Sequence, residues 1–205
     1  MYKISFLICI FLFGVSASAA TLYELQAGWE SANYKSLGDE QVKQFESLIV
    51  KAESAVSADP DNAELLIWRG IILSTYAGKA SGLSALRLIK QARSSLESAM
   101  DIDDMALNGS AYTSLGALYY QVPGWPIAFG NNKKARQYLM KALSVNPDGI
   151  DSNYFYGDFL IQEQEYQEAT RVLQKALAAE SRPGREVADE GRRQEINALL
   201  ENMSK

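Results

Sequence analysis

Residues 112–147 read YTSLGALYYQVPGWPIAFGNNKKARQYLMKALSVNP, and this stretch decides the fold. Its opening, Tyr112-x-x-Leu115-Gly116-x-x-Tyr119, spaces apolar residues at helical intervals around a central glycine. Its end, Ala135-x-x-x-Leu139-x-x-Ala142, puts three small or apolar residues on one face of a second helix. Pro147 then forbids that helix to continue. A glycine inside a helix costs about 1 kcal/mol relative to alanine. Its presence here implies that a neighbouring helix comes close.

Both signatures recur. The glycine helix returns as Leu66-x-x-Arg69-Gly70-x-x-Leu73 and Asn153-x-x-Tyr156-Gly157-x-x-Leu160. The alanine helix returns as Ala92/Leu96/Ala99 and Ala169/Leu173/Ala176, with Leu48/Ala52/Ala55 as an earlier variant. Pro60 and Pro147 each follow an alanine of the signature by five residues and precede a glycine by ten. The pattern resembles the tetratricopeptide repeat, whose unit is a helix–turn–helix of about 34 residues. The resemblance implies an all-α fold: a tetratricopeptide helix-turn-helix solenoid of about four helix pairs plus a C-terminal capping helix. The expected repeats span about 22–60, 61–104, 105–147 and 148–181, and the cap about 184–203, all in one domain of residues 20–205. Leu22, Leu25 and Trp29 suggest the first helix, Gly38-Asp39 a turn, and Val187, Ile196, Leu199 and Leu200 the inner face of the cap.

The spacing departs from the bare repeat in an informative way. Gly157 precedes Ala169 by 12 residues, but Gly116 precedes Ala135 by 19 and Gly70 precedes Ala92 by 22. The second and third pairs therefore carry insertions between their two helices, and such insertions map to one face of a solenoid. One is expected as a small, glycine-containing connector from Tyr76 to Ser84. The other, Gln121 to Asn132, carries Pro123, Gly124, Pro126 and Gly130, which forbid helix and impose a fixed loop. Its Trp125, Ile127 and Phe129 either present an aromatic binding surface with Tyr119 and Tyr120 or tuck back onto their own helices.

Composition narrows the function classes. The 205 residues contain no histidine, which removes the commonest general base and metal ligand. With no acid–base pair or nucleophile standing out of the helical pattern, the chain is expected not to be an enzyme and to need no cofactor. The Asp101/Asp103/Asp104 cluster lacks the glycine and glutamate that a calcium loop needs. A formal net charge of −5 argues against nucleic acid as a partner. Lys3, the apolar run from Ile4 to Val15 and the small residues Ser16 to Ala20 read as a secretory signal peptide over residues 1–19, cut after Ala19 or Ala20. The only cysteine, Cys9, lies inside that run. The expected location is the periplasm, with no membrane insertion once the leader is removed.

In peptide-binding members of the family the first helix of each pair lines a groove. Carried over by position, the resemblance gives Glu64, Ile67 and Ile71, then Thr113, Ala117 and Tyr120, then Asp151, Tyr154 and Asp158 as groove residues, joined by Tyr119, Trp125 and Phe129 of the loop cluster. These positions equally suit ordinary helix surface. The partner is expected to be a protein or peptide, with a small-molecule ligand as the alternative. The segment 119–135 is also similar to periplasmic tetratricopeptide subunits of tripartite ATP-independent transporters, which implies an accessory role in solute transport. Arg182, Arg185, Arg192 and Arg193 alternate with acids at spacings of four and are expected to neutralise one another along one solvated helix face.

Overall fold

The computed structural model describes residues 20–203. The leader reading and Cys9 lie outside them. Nine α-helices occur among the described residues: α1 (Leu22–Glu30), α2 (Gly38–Ala58), α3 (Ala63–Ala77), α4 (Gly82–Ile102), α5 (Ala106–Gln121), α6 (Asn132–Val145), α7 (Ile150–Gln162), α8 (Tyr166–Leu177) and α9 (Glu186–Met203). They form four antiparallel pairs and a final helix, an all-α solenoid. The first helices of the pairs neighbour one another on the inner layer; each second helix leans on its own pair and on the next.

Local chemistry sets the boundaries. Thr21 caps α1 with a full capping box, its backbone N–H donating to Glu24 Oε2 at 2.7 Å. A single π-helical turn, Ser31–Lys35, prolongs α1 before the chain reverses at Gly38, whose φ is +58°. Asn62 and Asn131 accept from the amides of Leu65 and Lys134 at 3.1 and 3.0 Å and so cap α3 and α6.

Each pair is locked by a leucine seated on a glycine. A Cβ added at Gly70, Gly116 or Gly157 would lie 2.6 Å from the Cγ of Leu96, Leu139 or Leu173. The first pair repeats the device at Gly28, where the added carbon would meet Leu48 Cδ1 at 2.7 Å. The sequence motif did not include Gly28, because Leu48 sits one turn earlier than its counterparts. Ala92, Leu96, Ala135, Leu139, Ala169 and Leu173 are all fully buried.

The two insertions are accommodated differently. In the third pair the extra residues form the expected loop, between α5 and α6. In the second pair the expected connector is not a loop: only residues 78–81 separate α3 from α4, and the rest extends α4 to 21 residues. Helix formers such as Leu83, Ala85, Leu86 and Arg87 account for this.

Helix α5 contains a feature that no sequence signal announced. Leu107, Asn108 and Gly109 have φ of 48°, 54° and 70°, a left-handed turn before right-handed winding begins. Such geometry costs a non-glycine residue roughly 1–2 kcal/mol. Leu107 recovers part of it by packing between the two largest core clusters.

Candidate functional site

Helix α9 does more than cap the stack. It packs on α7 and α8 and also reaches back to the first repeat. Gly191 lies against Tyr34, where an added Cβ would sit 2.4 Å from the ring. Ala188 joins Leu25, Trp29 and Trp68 in one buried cluster. Arg185 pairs with Glu30, two residues 155 apart in the chain, both side chains almost wholly buried. The last helix thus meets the first, and the concave face becomes a chamber of about 800 Å³.

The chamber has two unlike ends. Ile71, Ala85, Leu86, Ile89, Ala117 and Leu118 make an apolar wall from α3, α4 and α5. At the other end α7 and α9 supply an ion-pair network. Asp151 accepts from Arg182 and Arg192, each at 2.8 Å. Arg182 also binds Asp189, and Arg192 binds Glu195, each at 2.5 Å. Burial opposes ionisation of Asp151, but Arg192 and Arg182 overcome it and hold the carboxyl at about 2. Arg192 is buried too; its desolvation is outweighed by Asp151, Tyr34 and Glu195, so its pKa rises. Its guanidinium lies 4.1 Å from the Tyr154 ring centre and 4.8 Å from that of Phe155.

This corrects the reading of the arginine cluster as a self-neutralised solvated face. The pairs Arg185–Asp189 and Asp189–Arg193 do not form among the described contacts. Arg185 turns to Glu30, Asp189 takes Arg182, and Arg193 donates to the Ala179 carbonyl at 3.1 Å. Glu30 and Asp151 come from other elements, and only Arg192 keeps a partner along its own helix, Glu195.

The anticipated groove residues divide. Ile71, Thr113 and Tyr154 line the chamber. Ile67 is fully buried between helices. Tyr120 is buried and donates to Asp158 Oδ2 at 2.6 Å, tying α5 to α7; burial and then that carboxylate push its pKa well up. Tyr119 is also core, stacked on Tyr138 at 5.5 Å.

The loop from residue 122 to 131 is pinned by Gly130 N–H donating to the Pro123 carbonyl at 2.9 Å and Asn131 N–H donating to that of Tyr119 at 2.7 Å. Gly130 is obligatory, since a Cβ there would lie 2.0 Å from the Val122 oxygen. The loop's large apolar residues divide between core and solvent. Phe129 folds back edge-on to Tyr119 at 5.5 Å, beneath the Arg93 guanidinium. Trp125 stands at the tip, 90% exposed, and Ile127 sits at the chamber mouth.

Trp68, Thr75, Tyr34 and the three arginines were not among the anticipated site residues. Trp68, Ile71 and Thr75 sit three and then four apart, so a helical wheel of α3 centred on Trp68 would have found them. Trp29 Nε1 donates to Thr75 at 2.9 Å. Trp68 Nε1 is the one buried side-chain polar atom without a partner among the described residues, and the Arg185 guanidinium lies over its ring at 4.8 Å.

No curated protein matches the chain. A tetratricopeptide repeat model matches residues 127–189, from the loop at the chamber mouth into the start of α9. Tetratricopeptide domains suggest scaffolds for protein–protein interaction. The matched segment is under a third of the chain and shows a likeness to the tetratricopeptide repeat, with which the helix-pair architecture agrees.

Proposed function

We propose that this chain is an exported, non-catalytic tetratricopeptide scaffold whose concave face, narrowed by α9, holds one compact ligand. The observation that carries this reading is the closure by α9: it turns an open groove into a chamber of about 800 Å³, within the roughly 300–1,000 Å³ range of small-molecule sites. The apolar wall suits an apolar body. The ion-pair end offers polar contacts but no free charge, since each guanidinium is already held by carboxylates. A neutral or weakly polar head fits it better than phosphate.

The test uses Nile red, a neutral apolar dye, as probe. The chain takes up the dye at a single saturable site, and Ser114→Trp, which fills the chamber from α5, removes that site. Absence of saturable uptake, or uptake undiminished in Ser114→Trp, overturns the reading. Native mass spectrometry of the chain purified from envelope extract then identifies the natural occupant. N-terminal sequencing of that material should begin at Ala20 or Thr21; an intact Met1 would remove the export part.

A second reading keeps the chamber and changes the occupant. The family match favours a short apolar peptide segment entering past Ile127. A solute would instead fit the accessory role in periplasmic transport that residues 119–135 suggest. Native mass spectrometry separates the two by the mass of what stays bound.

A further inference from the structure

The four turns that join the two helices of each pair lie along one edge of the solenoid, and each carries, within the turn or in the first two residues of the helix after it, a large apolar side chain exposed to solvent. They are Leu37 at 85% exposure, Leu83 at 85%, Trp125 at 90% and Tyr166 at 52%, with Ile127 beside Trp125 at 63%. Scattered single exposures need no explanation; one at every turn of the same edge does. No residue of this set is held in the core by a neighbour, although Phe129 in the same loop is.

Charge along this edge is uneven: the outer turns carry Asp39, Glu40, Glu163 and Glu165, and only the two central turns run against the rest of the molecule. Segments 78–87 and 122–134 contain Lys79, Arg87, Lys133 and Lys134 and no acidic residue, in a chain of net charge −5. All four cations are exposed. Lys79, Arg87 and Lys133 have no ion-pair partner among the described residues. The two segments are neighbours: Ala80, Leu86, Val122, Ala128 and Phe129 pack on one core cluster, and both segments border the chamber. The helices α4 and α6 also begin here, which adds the positive ends of their dipoles.

We propose that the two central turns of this edge, around Leu83 and Trp125, are a peripheral contact for a membrane surface bearing anionic headgroups. Tryptophan, leucine and isoleucine on protruding turns, with lysine between them, match the boundary between acyl chains and headgroups. Basic residues at this depth attract anionic lipid. Among the described residues no helix is long and apolar enough to cross a membrane, so the contact is one of turns lying on the surface. It also sets the chamber mouth, at Ile127, against the bilayer.

The chain offers a specific reporter. Trp29 and Trp68 are buried, residues 1–19 contain no tryptophan, and Trp125 alone is exposed. Vesicles of phosphatidylcholine with one part in three phosphatidylglycerol are added to the full chain, using lipids brominated in the acyl chain. Trp125 emission shifts to the blue and is quenched, and both effects weaken as salt rises. Vesicles of phosphatidylcholine alone give a much smaller response. Lys79→Glu with Lys133→Glu lowers the apparent affinity by roughly tenfold or more. Trp125→Phe removes the fluorescence response and retains flotation with anionic vesicles. An emission spectrum unchanged by anionic vesicles overturns the proposal. So does a response equal on neutral vesicles or in the doubly reversed variant. A failed dye-uptake result leaves this experiment untouched, because Lys79, Trp125 and Lys133, the residues it reads, do not line the chamber.

Discussion

Two seams hold this molecule, and they are made of different materials. Inside each helix pair the seam is a leucine pressed onto a glycine, repeated four times and free of charge. Where α9 meets the first repeat the seam is a set of ion pairs, half-buried around Asp151 and buried at Glu30. The first kind depends on shape, is indifferent to acid and is supplied by residues close in sequence. The second depends on ionisation and joins elements far apart. A stack built from the first can persist while the second is disrupted.

The largest effect that would separate the seams is loss of Asp151. Asp151→Ala leaves buried Arg192 with Glu195 alone and Arg182 with Asp189 alone. Removing one partner from such a network is expected to cost about 3 kcal/mol, read as a lower urea midpoint. Amide exchange should rise mainly in α9. A uniform rise through all pairs would show that the seams are not separable.

Gly116→Ala probes the other seam. The new methyl would meet Leu139 Cγ at 2.6 Å and the Leu139 amide nitrogen at 3.2 Å. Overpacking should outweigh the alanine's helix preference and lower stability by about 1–2 kcal/mol. Thermal unfolding at pH 7 and pH 3 should show the same loss, because no charge is involved.

Acid gives a smaller and opposite signature. Asp151's folded pKa of about 2 lies below its ordinary value of 3.8, so its pairs contribute fully above that value and fade as pH falls through about 2. The expected loss is about 1–2 kcal/mol after allowing for the group's partial exposure. Asp151→Asn should flatten this part of the pH–stability curve; an unchanged slope would place the acid sensitivity elsewhere. The smallest effect belongs to Trp125→Ala, which should move unfolding by less than about 0.5 kcal/mol. A larger loss would mean that the loop tip supports its own helices.

The first seam was legible and the second was not, for a physical reason. Gly70, Gly116 and Gly157 stand out because glycine in a helix needs a cause, and the partner leucine lies in the adjacent signature. Gly28 escaped because the leucine facing it is displaced by one turn. The arginines near the C-terminus have acids at helical spacing, so local pairing satisfied the sequence reading; only the folded chain shows that Asp151 and Glu30 compete for them and win. Leu107 and Asn108 were illegible in a stronger sense, since no propensity favours leucine in a left-handed turn. In the loop, proline and glycine announced the break between α5 and α6. They could not say that Phe129 turns inward and Trp125 outward, because both are large aromatics on one short segment.

The pairing of Glu30 with Arg185 has a further meaning. A solenoid is ordinarily open-ended, and units can be added or lost because each touches only its neighbours. Here the final helix must find the first one, and it does so across the width of four stacked pairs. A fifth pair would carry α9 beyond reach of α1; a missing pair would drive them into collision. The chain thus gives up the freedom to grow, and the number of its repeats becomes a property of its geometry.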